Sequence, residues 1–486
     1  MIALTAAEIA EAVGGTLRGV DHPERLRVSH ADTDSRNMAP AALFIAKPGE
    51  TTDGHRFIDD ARASGAELVL AERATDDPSG APHPAVIVDD VVVAMGRLAA
   101  EIVRRIRAHS PTTVIGITGS SGKTTTKDLL AAVLGPSGPT VAPQGSYNSE
   151  VGVPLTIFGA ELQTRYLVIE MGADAPGNIA ELCQIVRPDI GVVLMVGSAH
   201  AERFGGADKI AQTKGELAEA VPADGDVVLN ADDAQVAAMA LRASAGITWF
   251  AVEPAAGGRG DVTAHQVQQL SDGRTELILR FDQPGRTDWR ITTGLIGTHH
   301  VTNVLAAAAA AWRAGVPAEQ IAARLEGLGA ASRWRMERTE IDWDGQPNAI
   351  TLINDAYNAN PESMREALRT LASIARTSGR RSVAVLGGML QLGDASTMAH
   401  HQVGETVVRL NIELTLVVGE TAYPLYRGAV AEGSWGSEVH WVETAEEAEA
   451  WLRTALRPGD VVLFKSSHDA GLRLLGDTFA AEEGTE

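Results

Sequence analysis

The sequence contains a single cysteine, Cys183, among its 486 residues. One cysteine excludes a framework of internal disulfide bonds and is typical of a protein in a reducing compartment, so we expect a cytoplasmic location. Cys183 lies in an apolar segment, IAELCQIV, where a small buried side chain is a better interpretation than a nucleophile.

Long hydrophobic runs are also lacking. No segment approaches the roughly 18–20 consecutive apolar residues that a membrane span needs, so we expect no membrane span. The first residues, MIALTAAEIAEAVGG, have no basic flank and contain Glu8 and Glu11, so we expect no secretory signal. The hydrophobic fraction of 45% and the charged fraction of 21% are typical of a globular protein.

Positive charge is scarce. The 41 Lys and Arg residues face 63 Asp and Glu residues, which gives a formal net charge of −22. This balance argues against nucleic acid as a partner, because nucleic-acid binding depends on clustered cations. A protein of this charge that handles phosphates must concentrate its cations locally.

One such place is the segment VIGITGSSGKTTTK at residues 114–127. It predicts an apolar strand, then a Gly/Ser turn, then a helix that begins at Lys-Thr-Thr. Such a turn directs several backbone N–H groups and a helix N-terminus at one point, which suits an anion. Lys123 adds a positive charge, and the Thr124 hydroxyl is placed to ligate magnesium. The segment predicts a site for the phosphates of ATP.

The spacing of this loop is irregular. The common phosphate-loop pattern has four residues between its first Gly and the Gly-Lys pair, whereas five separate Gly116 from Gly122. The alternative is a turn that binds no ligand. Because Gly-Lys-Thr-Thr lies where a phosphate would be held best, the variant spacing indicates a particular class of ATP user.

The chain divides into three blocks at residues 1–110, 111–332 and 333–486, and its length alone predicts two to four domains. Near-continuous Val/Ile/Leu runs alternate with helical segments, which favours an α/β fold with a parallel sheet covered on both faces. The predicted strands are 42–46, 67–71, 85–88, 113–118, 166–170, 190–196, 227–230, 350–353, 382–386, 414–418 and 461–465. The predicted helices include 91–108 and the alanine-rich 301–314.

Ligands of parallel α/β sheets bind beyond the carboxyl ends of the strands. Glu170 ends one predicted strand, and a carboxylate there needs a cation or a hydrogen-bond donor. We expect magnesium, with an ion pair to Arg or Lys as the alternative. His200 follows the next strand and is either a metal ligand or an ordinary hydrogen-bonding histidine. Lys214, on a helix with Glu216 nearby, is by spacing alone a solvated lysine.

The third block contains a dense polar loop, NDAYNANPES, that follows the strand at 350–353. Asp355 and three asparagines could form a helix N-cap and an Asx turn, and Pro361 suits the first position of a helix. The same loop has the hydrogen-bonding capacity to hold a peptide or sugar-phosphate substrate. Lys465, at the end of the last strand, places a further cation at a carboxyl end.

Taken together, these segments resemble the Mur ligases, the ATP-dependent amide-bond-forming enzymes of peptidoglycan precursor synthesis, over nearly the whole chain. The loop GITGSSGKTT looks like that family's longer phosphate loop and accounts for the spacing. Further matching segments, in the expected order, are DTDSR (32–36), YNSEVGVP (147–154), HAERFGG (200–206), QTKGEL (212–217), VLNADD (228–233) and NDAYNANPESMREAL (354–368).

The resemblance implies three α/β domains: a uridine-nucleotide-binding domain at 1–110, a central ATPase domain at 111–332 and a Rossmann-like C-terminal domain at 333–486. It implies a site for ATP made by Gly119, Ser120, Ser121, Gly122, Lys123, Thr124, Thr125, Asn303, Arg335 and Asp355. It implies substrate binding by Ser35, Arg36, Asp53, Gly54, His55, Asn148, Tyr357, Asn358, Asn360 and Lys465.

The resemblance also implies Mg²⁺ ligands and catalytic groups. Thr124 and Glu170 would hold one magnesium ion, and His200 a second. The catalytic set would be Lys123, Lys214 and His200, with Lys214 carried as a carbamate. That last role would reverse the interpretation of Lys214 as a solvated lysine.

Within the family, the polar loop is similar to that of the branch that joins D-alanyl-D-alanine to UDP-N-acetylmuramoyl-tripeptide through an acyl phosphate. We therefore expect these two substrates and a monomeric enzyme. Several positions depart from the family pattern, among them Ala41, Ala42, Gly388, Gln391, Ser466 and His468. Since most of these lie in the third block, a related ligase with another carboxylate and amine is one alternative. A non-catalytic scaffold that binds the UDP-linked precursor is another.

Overall fold

The computed structural model describes residues 1–49, 52–197, 207–255, 258–433 and 437–481. It is an α/β protein built on three larger sheets that follow one another along the chain, with a two-stranded ribbon at the start. Among the described residues, no helix combines the length and the apolar character that crossing a membrane requires.

The first sheet has the strand order β2-β7-β6-β5-β4, and β1 pairs with β3 in the separate ribbon. The first helix begins at a capping box, in which Thr5 accepts from the Glu8 N–H and Glu8 accepts from the Thr5 N–H. The elements are β1 Leu4–Thr5, α1 Ala6–Val13, β2 Thr16–Arg18, β3 Arg27–Val28, β4 His30–Asp32, β5 Ala42–Ile45, α2 Ile58–Ala63, β6 Ala66–Ala71, β7 Ala85–Ile87 and α3 Val91–His109.

The central sheet has nine strands in the order β16-β15-β14-β13-β12-β11-β8-β10-β9. Pairing is parallel from β9 to β14 and antiparallel between β14, β15 and β16. Its elements are β8 Thr113–Thr118, α4 Lys123–Leu134, β9 Thr140–Val141, α5 Gly152–Ile157, β10 Tyr166–Glu170, α6 Asn178–Val186, β11 Ile190–Val193, α7 Ala207–Ala220, β12 Asp226–Asn230, α8 Ala234–Ala238, β13 Gly246–Val252, β14 Val262–Gln269, β15 Arg274–Phe281, β16 Asp288–Ile296, α9 Val301–Arg313 and α10 Ala318–Leu325.

The third sheet has the order β17-β18-β22-β19-β20-β21, and only the β17–β18 pair in it is antiparallel. Its elements are β17 Glu337–Trp343, β18 Gln346–Asn354, α11 Pro361–Ser378, β19 Ser382–Leu386, α12 Ser396–Arg409, β20 Leu414–Val418, α13 Tyr423–Glu432, β21 Val439–Val442, α14 Ala445–Ala455, β22 Val461–Lys465 and α15 Leu472–Ala480.

Helices cover both faces of the central sheet, as the apolar strands predicted. On one face the core is continuous with the first unit through α3, whose Leu98 and Ile102 pack in the same cluster as Val114 and Leu167. On the other face lies α9, whose six consecutive alanines are fully buried. Small side chains let this helix pack closely on the sheet. The alanine-rich composition of the segment indicated such packing.

The predicted strands are found, although 190–196 ends at Val193 and 350–353 lies within the longer β18. The pattern did not predict the antiparallel strands β14 to β16. These strands alternate buried and more exposed residues because only one of their faces packs on the core. A search for continuous apolar runs therefore passes over them.

Candidate active site

The phosphate loop lies between β8 and α4, at the carboxyl end of the central sheet. Gly122 has φ +85°, and a Cβ there would lie 2.2 Å from Asn303 Oδ1. A Cβ at Gly119 would lie 2.9 Å from the Leu194 Cβ. Both glycines are therefore required for the loop to pack against its neighbours. The geometry is that of the predicted strand, turn and helix.

Lys123 is the first residue of α4, and its Nζ donates to the Gly119 carbonyl at 2.8 Å. Burial lowers the pKa of this lysine, while the Glu170 carboxylate acts in the opposite direction. The ammonium is thus folded back onto the loop, where it faces the space in which a phosphate would lie.

Glu170 ends β10 and is almost fully buried. Its carboxylate accepts from Thr124 Oγ1 at 2.9 Å and from Asn148 Nδ2 at 2.8 Å. The structure therefore brings together the two side chains expected to hold magnesium. The alternative, an ion pair with Arg or Lys, is not found at Glu170 among the described residues. Thr124 also lies 2.8 Å from Ser146 Oγ.

His200, the other expected metal ligand, falls outside the described residues, as does the segment HAERFGG. Among the residues that the structure does describe, no three His, Cys, Asp or Glu side chains form a group that could hold a metal ion. Mg²⁺ beside phosphates usually takes one or two protein ligands, and water and phosphate oxygens complete its coordination.

A cavity of about 880 Å³ opens beside the phosphate loop, and we call it the nucleotide cavity. Its size and mixed polar lining suit a nucleoside triphosphate. The expected ATP residues that border it are Ser120, Ser121, Gly122, Lys123, Thr124, Thr125, Asn303, Arg335 and Asp355. Gly119 does not border it, because that glycine faces a neighbouring cavity instead.

The C-terminal unit reaches across to the phosphate loop. Arg335 donates from Nη2 to Ser146 Oγ at 2.9 Å, and its guanidinium lies 4.2 Å from the centre of the Tyr357 ring. Lys465 is buried and its Nζ lies 2.5 Å from Asp355 Oδ2. These contacts place the polar loop of β18 over the nucleotide cavity.

The polar loop also performs the structural role that was its alternative interpretation. Asn360 is the N-cap of α11, since its Oδ1 accepts from the Ser363 N–H at 2.8 Å, and Pro361 occupies the first helical position. Tyr357, Asn358, Asn360 and Lys465 nevertheless border the nucleotide cavity. A helix cap and a cavity wall are thus built from the same residues.

A second cavity, of about 670 Å³, lies between α3, α6 and the phosphate loop, and we call it the precursor cavity. Lys214 borders it and is buried, so the interpretation of this residue as a solvated lysine is wrong. Burial and the nearby charge of Lys123 lower the pKa of Lys214 to about 7. Asn148 borders both this cavity and the nucleotide cavity.

The expected substrate residues of the first unit border neither cavity. Asp53 accepts from the His55 N–H and pairs with Arg73, and the His55 ring is buried. A Cβ at Gly54 would lie 2.6 Å from the Lys47 carbonyl oxygen. Ser35 and Arg36 form a short turn capped by Asp34. These residues therefore lie with the first sheet, away from the phosphate loop.

A third and smaller cavity, of about 140 Å³, lies between the phosphate loop and the C-terminal unit, and we call it the small cavity. Two of the departures from the family pattern, Gln391 and His468, border it. Gln391 has φ +62°, a conformation that costs a non-glycine residue about 1–2 kcal/mol. Gly388 and Ser466 do not border it.

Sequence reasoning missed several residues of the nucleotide cavity. Ser146 contacts both Thr124 and Arg335, and nothing in its local sequence indicated this. Asp233, which follows β12, borders the cavity and accepts from the Val196 N–H at 2.8 Å. The rule that ligands bind at the carboxyl ends of strands could have found Asp233.

Comparison with known proteins agrees with this geometry. Family models match along the chain: the Mur ligase family catalytic domain at residues 27–102, the Mur ligase middle domain at 117–311 and the Mur ligase glutamate ligase domain at 334–468. A UDP-N-acetylmuramoyl-tripeptide–D-alanyl-D-alanine ligase of Mycobacterium tuberculosis is 42% identical over 99% of both chains. One of Escherichia coli is 33% identical over 97% of both.

Solved structures give the same result. MurF from Acinetobacter baumannii superimposes with a TM-score of 0.84 at 28% identity, covering 99% of both chains. MurF ligase from Thermotoga maritima in complex with ADP superimposes with a TM-score of 0.76 at 26% identity, covering 94% of this chain and 98% of that one. The α/β architecture predicted from the sequence is confirmed, and the chain belongs to the Mur ligase family.

Proposed function

We propose that this protein is an ATP-dependent ligase that joins D-alanyl-D-alanine to UDP-N-acetylmuramoyl-tripeptide, the last peptide-adding step of peptidoglycan precursor synthesis. The observation that carries the proposal is the 42% identity to a ligase of that name along 99% of both chains. The phosphate loop, with Thr124 and Glu170 together in a cavity of nucleotide size, supports the use of ATP.

The residues present fit a magnesium ion. Thr124 and Glu170 offer a hydroxyl and a carboxylate at the edge of the nucleotide cavity, which is the small set of protein ligands that Mg²⁺ takes beside phosphates. When bound there, magnesium would supply positive charge to the phosphate oxygens. His200 as the ligand of a second magnesium ion is part of the same proposal.

Lys214 is proposed to be carried as a carbamate. An amine reacts with carbon dioxide only when it is uncharged, and a pKa of about 7 leaves much of Lys214 uncharged at neutral pH. The positive charge of Lys123, which disfavours the ammonium form of Lys214, would favour the anionic carbamate. The same positive charge thus destabilises the ammonium form of Lys214 and stabilises its carbamate.

In the first chemical step a carboxylate anion must attack a phosphate anion, so the site has to offset the repulsion between them. Lys123 and the loop N–H groups hold the phosphates and offset their charge. The carboxylate of the precursor would attack the γ-phosphorus from the precursor cavity, which gives an acyl phosphate and ADP. The amine would then attack the acyl carbon and release phosphate. The hydrogen bond from Arg335 to Ser146 joins the C-terminal unit to the phosphate loop, and such a closed arrangement would exclude water from the acyl phosphate.

We assign the precursor cavity to the muramoyl peptide, because Lys214, Lys123 and Asn148 border it. The uridine end would then lie towards the first unit, where Ser35, Arg36, Asp53, Gly54 and His55 are the proposed contacts. The small cavity is assigned to the amine, because it lies between the phosphate loop and the C-terminal unit and its 140 Å³ is far less than the volume of either other cavity. Domains at 1–110, 111–332 and 333–486, a monomeric state and a cytoplasmic location remain predictions.

A related ligase with another amine is a second candidate, because Gln391 and His468 border the cavity assigned to the amine. The test is ADP release over many turnovers with UDP-muramoyl tripeptide and a panel of amines, because one ADP can form with the acyl phosphate before any amine reacts. Release that requires D-alanyl-D-alanine, with the amide product seen by mass spectrometry, supports the main proposal. Release only with another amine supports the second candidate, and no release with any amine supports a binding scaffold.

A further inference from the structure

The three cavities share two bordering residues. Ser120, in the phosphate loop, and Asn358, in the polar loop of the C-terminal unit, each border the nucleotide, precursor and small cavities. Among the described residues no other side chain borders all three. The reacting atoms of an amide ligase must come within about 3–3.5 Å of one another, so these two residues mark the place where three reactants can meet.

Both side chains have hydrogen-bond donors to offer at this junction. Ser120 Oγ accepts from the Gly197 N–H at 2.9 Å, which leaves the hydroxyl proton to be donated elsewhere. Asn358 Oδ1 accepts from the Ala359 N–H at 2.9 Å, so Nδ2 is the donor that this side chain has left to offer. Nδ2 has no hydrogen-bond partner among the described residues, and Asn358 is exposed to the cavities.

We propose that Ser120 and Asn358 together form an oxyanion hole for the step in which the amide bond is made, an inference that rests on the proposed function. In that step the amine nitrogen bonds to the acyl carbon, and the carbonyl π electrons move to oxygen. The carbon–oxygen bond to phosphate then breaks, phosphate leaves with the electron pair, and the amine gives its proton to water or to the departing phosphate. The Ser120 O–H and the Asn358 Nδ2–H stabilise the negative oxygen while it exists.

The position of Asn358 is fixed by the C-terminal unit. Lys465 Nζ donates to the Asn358 carbonyl at 3.2 Å and pairs with Asp355. The contact of Arg335 with Ser146 holds this unit against the phosphate loop. The hole is therefore complete only when the two units are in contact, which links the second chemical step to closure of the protein.

The test separates the two chemical steps. Acyl phosphate is measured without amine, by acid quench followed by conversion to a hydroxamate with hydroxylamine. Amide formation is measured in single turnovers after the dipeptide is added. Asn358→Ala and Ser120→Ala should each slow amide formation by about 100-fold or more, a much larger factor than any slowing of acyl-phosphate formation in the same variant. Ser121→Ala, at a serine that borders only the nucleotide cavity, is the matched comparison and should change the KM for ATP without that selective loss.

Asn358→Asp separates the loss of hydrogen-bond donors from the loss of side-chain volume. It keeps the size of the side chain but replaces the amide donors with a negative charge. We expect it to form the amide more slowly than Asn358→Ala. An Asp variant as fast as wild type, or variants that lose acyl-phosphate formation or ATP affinity instead, would overturn the oxyanion hole. Thermal unfolding midpoints show that each variant is folded. If the wild-type enzyme makes an amide only with another amine, the substrate assignment fails and the hole is tested with that amine. If it makes none, the proposed function itself is overturned.

Discussion

The effect of Lys214 on stability can be predicted with a magnitude, because burial disfavours the charged form of its side chain. Its ordinary pKa of 10.5 is lowered to about 7 by burial and by Lys123. At about 1.4 kcal/mol for each pKa unit, this difference corresponds to at most about 5 kcal/mol of lost stability. Lys214→Met keeps the length of the side chain and removes the charge. In buffer free of carbon dioxide we expect this variant to be more stable than wild type at pH 7, and to be inactive.

The pH dependence follows from the sign of the shift. Between pH 7 and 10.5 the unfolded chain holds a proton on Lys214 that the folded protein has released, so wild-type stability rises with pH there. The advantage of Lys214→Met should therefore be largest at pH 7 and below, and should fall by about 1.4 kcal/mol per pH unit towards pH 10.5. Midpoints of urea unfolding at several pH values measure this difference.

Lys209→Met is the matched control, because Lys209 lies on the same helix, α7, and is exposed. A change within about 0.5 kcal/mol, constant with pH, is expected for it. Added bicarbonate should stabilise the wild-type protein and leave Lys214→Met unchanged, since only the lysine forms a carbamate. A Lys214→Met variant less stable than wild type at pH 7, or a stability advantage that does not vary with pH, would contradict this prediction.

Three further predictions concern the site and its supports. Gly122→Ala should lose ATP turnover and at least about 1–2 kcal/mol of stability in urea unfolding, because its Cβ would meet Asn303 at a φ of +85°; unchanged turnover would contradict the packing argument. Glu170→Gln keeps an acceptor for Thr124 but loses the anion, so half-maximal activity should need at least about tenfold more Mg²⁺, with little change in the unfolding midpoint. His400 accepts from the Met389 N–H at 2.8 Å, and burial lowers its pKa. The free energy of unfolding should therefore fall as pH drops below 6.5. His400→Gln should weaken this dependence, and equal slopes of unfolding free energy against pH for the two proteins would contradict it.

The phosphate loop was the part of the site that the sequence predicted best. Its strand, turn and helix are contiguous, so composition and spacing over fourteen residues were enough to place Lys123 and Thr124. Glu170 could also be placed, because the carboxyl ends of parallel strands meet at one edge of a sheet. The resemblance added Asn303, which lies directly behind Gly122.

Lys214 shows where local sequence fails. Its helix has polar neighbours that favour a solvated lysine, yet the side chain is buried beside the phosphate loop. In the first unit, Arg36 and Asp53 form ion pairs with Asp34 and Arg73, and their contacts with the substrate stay a prediction. Whether a charged side chain is paired, buried or available depends on contacts that are distant in sequence.

The helices, the buried strands and the anion-binding turn could be predicted from the sequence alone, because hydrophobic periodicity, glycine placement and helix starts act over short stretches of chain. The meeting of three cavities at Ser120 and Asn358 depends on the tertiary structure, because these residues lie in loops that follow strands of different sheets. The physical reason is that the meeting point depends on how the C-terminal unit packs against the phosphate loop. That packing is fixed by contacts such as Arg335 with Ser146, which no local pattern encodes.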